Sequence, residues 1–156
     1  MGCNNSYCCG EINFERRRYK SNCELSVTEQ KRRKKIAEQT RAMIKSQLNI
    51  EDEDDASVMT NYRGYYLQIS FSNLHPLMVF CLAKPLSKPS SAKQRQMTNN
   101  LNLGSILGSH AINDDAGCYS YRATHWLDTQ IDSSRFFEIL DRCVEEADRG
   151  IRKLIG

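Results

Sequence analysis

The sequence predicts an α+β fold, in which an antiparallel sheet of about four strands carries N-terminal and C-terminal helices mainly on one face. Three observations support this fold class. Residues 65–72 alternate between apolar and polar side chains, as a half-buried strand does. Residues 113–117 read Asn-Asp-Asp-Ala-Gly, a strong turn signal between two strand-like segments. The chain after residue 132 carries an apolar stripe at helical spacing.

Composition limits the class of protein. The 156 residues suffice for one domain plus a tail, and a hydrophobic content of 40% with 26% charged residues is ordinary for a soluble protein. A net charge of +3 is too small to favour a polyanion as partner of the whole chain. There is no apolar run long enough to span a bilayer and no secretory signal, so a cytoplasmic location is expected. The seven cysteines are irregularly spaced, which predicts thiols in a reducing compartment.

Changes in composition along the chain predict its organisation. Residues 1–24 have little periodicity and are expected to form a flexible, basic, cysteine-containing tail. Residues 25–156 are expected to form a single α+β domain. Within it we predict a helix over 26–48, an acidic linker over 51–57 and a sheet–helix module over 58–156.

The first helix begins with Ser26 and Glu29, which form the pattern of a capping box. Its apolar stripe is narrow and consists of Ile36, Thr40, Met43, Ile44, Gln47 and Leu48. The basic run 31–35 covers all sides of the early turns, so these charges must be solvated or neutralised by a partner.

Strands and a second helix follow the linker. After the alternating strand 65–72 and a turn, the apolar run 77–83 has the length of a buried strand. We predict a helix over 91–101, a short strand over 106–112 and a return strand over 118–127. Alternation along the return strand places Tyr119, Tyr121, Ala123, His125 and Leu127 on one face and Ser120, Arg122, Thr124 and Trp126 on the other.

The final helix has the clearest pattern. Asp132 or Ser133 can cap its start. Its apolar stripe consists of Phe136, Leu140, Cys143, Val144, Ala147, Ile151 and Leu154. Burial of large side chains, at roughly 1.5–3 kcal/mol each, exceeds the contribution of the ion pairs on the other side of the helix. We therefore expect this helix to be docked on the sheet.

These segments together resemble the YbjN family, whose fold is similar to that of the type III secretion chaperones. The resemblance covers roughly Tyr62 to Ile155. It is carried by Met97-Thr-Asn-Asn-Leu-Asn-Leu, a short strand, an acidic hairpin, the strand Tyr119-Ser-Tyr-Arg-Ala, and Phe136-Phe-Glu-Ile-Leu-Asp-Arg-Cys in the last helix. The resemblance implies an α-β-β-β-α style fold, frequent dimers, and protein-binding or regulatory roles, with no enzymatic residue to carry over.

The amino terminus matches a lipidation pattern. The sequence Met-Gly-Cys-Asn-Asn-Ser fits the acceptor pattern for N-myristoylation at Gly2, and Cys3 could carry palmitate. One acyl chain binds membranes only marginally, whereas a second chain or a basic segment makes the attachment stable. The alternative interpretation is an unmodified tail, in which case peripheral membrane contact is not expected.

Metal binding and nucleophilic catalysis have weaker support. The cysteines at positions 3, 8, 9 and 23 lack the paired spacing of a zinc site, so no metal or other cofactor is predicted. The Cys/His pairing we consider is Cys118 with His110 or His125 across the hairpin. Without a nucleotide-binding loop or a catalytic serine motif, no catalytic residue and no small-molecule substrate are predicted.

The basic residues define a possible anion-contacting surface. They are Arg16, Arg17, Arg18, Lys31, Arg32, Arg33, Lys34 and Lys35. Phosphates would be attracted to these charges, but only one aromatic residue, Tyr19, lies among them, so a stacking platform for bases is lacking. A nucleic-acid partner is therefore disfavoured relative to a solvated basic face.

The sequence thus predicts a non-enzymatic chaperone-like, adaptor or regulatory protein that binds another polypeptide or a second copy of itself. Aromatic residues and arginine dominate interface energetics, so Tyr66, Tyr121, Arg122 and Trp126 are the predicted partner-binding residues, with ordinary sheet packing as the alternative. A membrane-recruited regulator with acylated Gly2 and Cys3, and a nucleic-acid-associated regulator using the basic helix, remain as other hypotheses.

Overall fold

The computed structural model describes residues 25–72 and 75–155. Over these residues the chain forms three helices and six strands. Their bounds are α1 Val27–Gln47, β1 Asp52–Glu53, β2 Ser57–Tyr62, β3 Tyr65–Phe71, β4 Leu77–Pro85, α2 Ala92–Gly104, β5 Gly108–Asn113, β6 Cys118–Trp126 and α3 Ser133–Ile155.

All six strands belong to one antiparallel sheet in the order β1-β2-β3-β4-β6-β5. The α+β class and the antiparallel sheet are confirmed. The predicted number of about four strands is wrong, because β1 and β2 add a hairpin to one edge. α2 connects β4 to β5, and β6 lies between these two strands in the sheet and pairs with both.

The extra hairpin includes the segment that was predicted to be an acidic linker. The Asp54 carboxylate accepts hydrogen bonds from the N–H groups of Ala56 (2.8 Å) and Ser57 (2.7 Å), which closes the turn between β1 and β2. Arg41 and Lys45 of α1 pair with the Glu53 carboxylate at 3.0 and 2.8 Å. The acidic run is therefore ordered because its charges meet hydrogen-bond donors and cations, a tertiary effect that composition does not reveal.

The helix starts follow the sequence signals closely. Ser26 Oγ accepts the Glu29 N–H at 3.1 Å, but the Glu29 carboxylate pairs with Arg32 and Arg33, both at 2.8 Å, so half of the predicted capping box is formed. α2 begins with a complete capping box between Ser91 and Gln94. Asp132 Oδ1 accepts the N–H of Arg135 at 2.8 Å and caps α3.

The hydrophobic core lies between the helices and one face of the sheet. Every residue of the predicted α3 stripe is buried there. Three tyrosines of the sheet also donate hydroxyl hydrogen bonds to acidic residues of α3: Tyr62 to Asp141 (2.7 Å), Tyr65 to Asp148 (2.6 Å) and Tyr121 to Glu146 (2.8 Å). The apolar stripe thus holds α3 on the sheet, and these directional bonds fix its register.

Candidate functional site on the helix-free face of the sheet

The sheet has a second face, which we call the helix-free face because none of the described helices packs on it. The buried side chains of α1 and α3 belong to the cluster on the opposite face, and so do the α2 residues Met97 and Leu101. The register of the strands assigns the following side chains to the helix-free face: Met59, Tyr66, Gln68, Val79, Cys81, Ala83, Cys118, Ser120, Arg122, Thr124 and Trp126.

Strand pairing brings three of the predicted partner-binding residues onto this face. Tyr66 lies opposite Ala83, and Arg122 lies opposite Cys81. Trp126 ends β6 opposite Leu77 and is 65% exposed. Their location agrees with an interaction surface, and their role in binding stays a prediction.

Tyr121 does not share this surface, and its assignment as a partner-binding residue is corrected. Its side chain points toward the helices and is fully buried, and its hydroxyl donates to Glu146. Because successive residues of a strand point to opposite faces, Tyr121 and Arg122 cannot both face one partner. Tyr121 therefore has a role in ordinary sheet packing, which was the alternative interpretation for the four predicted partner-binding residues.

A buried carboxylate on α3 organises the chain beside Tyr121. The Glu146 oxygens accept hydrogen bonds from the N–H groups of Ile106 (3.1 Å), Leu107 (3.2 Å) and Gly108 (3.1 Å) and from the Tyr121 hydroxyl. Burial raises the pKa of Glu146, but these hydrogen bonds outweigh that effect and hold its pKa below the ordinary value. Glu146 therefore fixes the connection between α2 and β5 as an ionised group.

Sequence reasoning missed Glu146, although a signal existed. Glu146 lies three residues after Cys143 and four before Gly150, so it falls inside the buried arc of α3 and not on its charged side. A carboxylate in an apolar arc requires internal donors, because its burial without them is costly.

The pairing of Cys118 with His110, which we considered without predicting a catalytic residue, is not formed. His110 lies on the helix side of the sheet, where its Nδ1 is 2.6 Å from the Tyr119 hydroxyl, and burial lowers its pKa. Cys118 belongs to the small cluster on the helix-free face. The free thiol of Cys143 is also buried, and burial raises its pKa to about 12, so it is no nucleophile at neutral pH.

A groove of about 670 Å³ lies beside His110, between α2 and α3. Its lining includes Met97, Leu101, Ile106, Arg149 and Lys153. The polar groups on its inner side, His110 and Glu146, are engaged in the internal hydrogen bonds described above. The groove therefore offers contact surface and positive charge rather than a set of free acid–base groups.

Cys81 differs from the two other described cysteines. It is fully buried on the helix-free face and is disulfide-bonded, whereas Cys118 and Cys143 are free thiols. The expectation that all cysteines are thiols is therefore not met at Cys81.

Several predicted site residues fall outside the described residues. They are Gly2, Cys3, Arg16, Arg17 and Arg18, together with the cysteines at positions 8, 9 and 23. Acylation in that segment stays a hypothesis, and the expectation that its cysteines bind no metal is not tested by the described residues. Among the described residues there is no cluster of His, Cys, Asp and Glu side chains suited to a metal ion.

The basic start of α1 is described in full. Arg32 and Arg33 share the carboxylate of Glu29, which reduces their net charge, whereas Lys31, Lys34 and Lys35 are exposed. This pairing agrees with the expected solvated face and leaves the anion-contacting role a prediction. None of the helices in the described ranges is long and apolar enough to span a bilayer, and the cytoplasmic location also stays a prediction.

Comparison with known proteins identifies the fold. No protein-family model and no curated protein sequence matches the chain. Among solved structures, YbjN from E. coli matches with a TM-score of 0.52 and 11% identity, over 71% of this chain and 84% of YbjN. A chain of the HopA1–SchA chaperone–effector complex matches with a TM-score of 0.51 and 8% identity, over 78% of this chain and 94% of that one.

A third match points to the same group. The structure of the Yersinia pestis type III secretion chaperone SycH in complex with a YscM2 fragment gives a TM-score of 0.50 and 10% identity, over 75% of this chain and 98% of that chain. The fold is that of YbjN and the type III secretion chaperones. The predicted resemblance is thereby confirmed at the level of fold.

Proposed function

We propose that this protein is a non-enzymatic, chaperone-like adaptor that binds another polypeptide on the helix-free face of its sheet. The observation that carries the proposal is Trp126, a large aromatic side chain left 65% exposed on that face, next to the exposed Arg122 and Thr124. The similarity in fold to the chaperones of two complexes with bound polypeptides supports the same class of function.

The chemistry of the face suits an extended or helical segment of a partner. Tyr66 and Trp126 supply amphipathic rings, and Arg122 can donate several hydrogen bonds to a carboxylate or carbonyl group. The open part of this face lies on β6, where Arg122, Thr124 and Trp126 are exposed, whereas Ala83 on β4 is buried. A polypeptide with apolar anchors and a few acidic groups fits this surface best.

The direct test is affinity capture from the native host with purified full-length protein, at low and high salt, followed by mass spectrometry. We expect a polypeptide partner that resists high salt and that Trp126→Ala and Arg122→Glu each release. Arg142→Ala is the matched control, because Arg142 is exposed on α3, whose buried residues pack on the other face. Retention of the partner by both face variants would contradict the proposal, as would salt-sensitive nucleic acid as the main captured species.

We also propose that the protein forms a homodimer through the exposed apolar residues at the connection between α2 and β5. The Asn102 side chain already bonds to the N–H and carbonyl groups of His110 on β5 (2.6 and 2.9 Å), so the contact we propose is made by apolar side chains and not by the edge of the strand. Leu103 and Ile106 are 88% and 89% exposed, and Leu107 is 43% exposed. The Glu146 carboxylate accepts hydrogen bonds from the N–H groups of Ile106 and Leu107 and so orders the backbone of this connection. Binding of a second copy therefore loses little further backbone entropy here.

The oligomeric state tests the dimer. Size-exclusion chromatography with light scattering should give twice the monomer mass for the wild-type chain and the monomer mass for Ile106→Glu. Val27→Glu is the matched control, since Val27 is also exposed (67%) but lies at the start of α1. A monomeric wild-type chain, or a dimer that Ile106→Glu leaves intact, would exclude this interface.

A further inference from the structure

A second groove adjoins the one beside His110. It has a volume of about 790 Å³ and lies between the loop that precedes α2 and the last turns of α3. Met97 and Lys153 line both grooves, so we treat the two as one surface and call it the α2–α3 groove. Because α2 has 13 residues, the surface that follows it is about 20 Å long.

The α2–α3 groove carries positive charge that its own lining does not balance. The cations of the lining are all exposed, and they are Lys88, Lys93, Arg149, Arg152 and Lys153. The carboxylate of the lining is Glu146, whose oxygens accept hydrogen bonds from three backbone N–H groups and from the Tyr121 hydroxyl. An anionic ligand would therefore meet cations along the groove and no available carboxylate.

Cations elsewhere in the described ranges are paired more often. Their ion pairs join them to nearby carboxylates, as Arg41 and Lys45 are joined to Glu53, and none of the ion pairs among the described residues includes a cation of the α2–α3 groove. Arg152 Nε donates to the Asp148 carbonyl oxygen at 3.1 Å, a bond that does not neutralise its charge. Since the whole chain has a net charge of only +3, the groove is a local concentration of positive charge.

Helix stability explains only part of this charge. Arg152 and Lys153 lie in the last turn of α3, where cations interact favourably with the partial negative charge of the helix end. Lys88 and Lys93 lie just before and within the first turn of α2, where the helix end is partially positive and a cation is unfavourable. These two lysines are therefore placed against the helix dipole, as a site for an anionic ligand would require.

The floor of the groove is apolar and is held in place from both helices. Lys93, Met97 and Leu101 follow one another at four-residue spacing and so share one face of α2. Met97 and Leu101 pack against the core but stay partly exposed. The Gln94 side chain donates to the Leu154 carbonyl oxygen at 2.9 Å, which joins the start of α2 to the end of α3. The groove is thus formed before any ligand binds.

Cations above an apolar floor favour a polypeptide over other anions. Single-stranded nucleic acid needs aromatic side chains for stacking, and the aromatic ring in the lining is that of His110, which is buried and bonded to Tyr119. A free phosphate would use the cations but not the apolar floor, and a membrane surface is too broad to follow a groove between two helices. A segment with carboxylates on one side and apolar side chains on the other uses both features.

We propose that the α2–α3 groove is a second polypeptide-binding site, which takes an acidic amphipathic segment of a partner protein. Arg149, Arg152 and Lys153 lie three and four positions apart on one face of α3 and bind carboxylates of the segment. Met97 and Leu101 receive its apolar side chains. The length of the groove suits about six extended residues or about three to four helical turns. The site lies on the helix side of the sheet and does not depend on the function proposed for the helix-free face.

The first experiment selects ligands without assuming their sequence. A random library of peptides of about 12 residues, which cover the groove in either conformation, is displayed on phage and selected on the purified full-length protein. We expect the enriched peptides to combine several Asp or Glu residues with Leu, Ile or Phe at regular spacing. Enrichment of basic or purely apolar peptides, or of no peptide, would overturn the proposal.

The second experiment locates the site by fluorescence anisotropy with a selected acidic peptide. Lys153→Glu and Arg149→Gln should each raise the dissociation constant about threefold or more, and Met97→Gln should also raise it. Lys31→Glu is the matched control, because it makes the same charge reversal at an exposed lysine of α1 and should change the constant less than about twofold. Arg149→Gln decides the question if Lys153→Glu does not fold. Equal weakening by Lys31→Glu would show a response to net charge alone and would contradict the site.

The same titrations separate this site from other ligands and from the helix-free face. Trp126→Ala should leave the affinity for the peptide unchanged, and its loss in that variant would assign the peptide to the helix-free face. A single-stranded oligonucleotide and phosphatidylglycerol vesicles are tested in parallel. Tighter binding of either one, lost in Lys153→Glu, would assign the groove to that ligand and overturn the proposal. Failure of Trp126→Ala to release a captured partner would count against the proposed function only, so the two proposals fail separately.

Discussion

The two faces of the sheet are built from different side chains. The face under the helices carries large, fully buried residues such as Tyr65, Phe80, Tyr119 and Tyr121, and the tyrosine hydroxyls bond to groups on α3 or the next strand. The helix-free face has small residues at its centre and large ones such as Trp126 toward its ends. The first face holds the fold together, whereas the second face has exposed side chains along β6, at Arg122, Thr124 and Trp126.

The largest expected difference between the faces appears when one aromatic residue is removed from each. Phe136 is fully buried, with its ring centroid 5.9 Å from that of Phe80, so Phe136→Ala should lower the free energy of unfolding by about 3–5 kcal/mol. Trp126→Ala on the helix-free face should change it by about 0.5 kcal/mol or less. Urea denaturation of both variants measures this. Similar losses in both would mean that Trp126 is part of the core.

The polar interior can be tested at Glu146. Glu146→Ala leaves three backbone N–H groups and the Tyr121 hydroxyl without their acceptor, so we expect a loss of about 2–3 kcal/mol. Glu145→Ala, one residue earlier and exposed, should stay within about 0.5 kcal/mol of the wild-type chain. The same urea titrations compare them. Equal stability of the two variants would show that the carboxylate is not needed to hold the connection between α2 and β5.

Close packing of α3 on the sheet can be tested at Gly150. A Cβ atom at this position would lie within 2.5 Å of the His110 ring, so Gly150→Ala should cost about 1–3 kcal/mol. Gly104→Ala is the control, because no atom lies within 4 Å of its would-be Cβ, and it should be neutral or slightly stabilising. Thermal unfolding of both variants suffices. A tolerated Gly150→Ala would place α3 further from β5 than described.

The smallest expected effect is a dependence of stability on pH through His110. Burial lowers the pKa of His110 in the folded protein, and the nearby Glu146 carboxylate opposes this only in part. Below the ordinary pKa of 6.5, the unfolded chain therefore binds more protons than the folded one, and the free energy of unfolding falls as the pH falls.

The measurement is the melting temperature of the wild-type chain and of two histidine variants between pH 7.5 and pH 5.5. We expect His110→Gln to reduce the fall in melting temperature at low pH more than His125→Gln does. The reason is that His125 is only partly buried, although its pKa is also lowered. A steeper or unchanged decline in His110→Gln would mean that His110 is not the group responsible.

Much of the fold could be predicted from local patterns. The alternation from Cys118 to Trp126 assigns each side chain to its observed face, and the stripe from Phe136 to Leu154 is buried as predicted. These predictions succeed because a strand or helix buried on one side carries apolar residues at the spacing of that element, alternate residues in a strand and every third or fourth residue in a helix. The hairpin of β1 and β2 was missed because its acidic residues are stabilised by Arg41 and Lys45 on α1, which are distant in sequence.

The candidate site was predicted only in part. Alternation placed Arg122 and Trp126 together, and the pairing of β3 with β4 added Tyr66 across the face. Tyr121 was misassigned because residue type alone cannot distinguish an aromatic anchor for a partner from one for the core. The burial of Cys81 agrees with the continuous apolar run over 77–83, whereas the burial of Met59 had no such local signal.

By itself, the sequence determined the fold class, the helix starts and the inward side of each amphipathic element, because these depend on hydrogen-bond donors and apolar residues a few positions apart. The tertiary structure alone decided the order of the strands, the internal hydrogen bonds of Glu146 and the separation of His110 from Cys118. These features join residues far apart along the chain, and the partner that each group meets depends on how all the elements pack together.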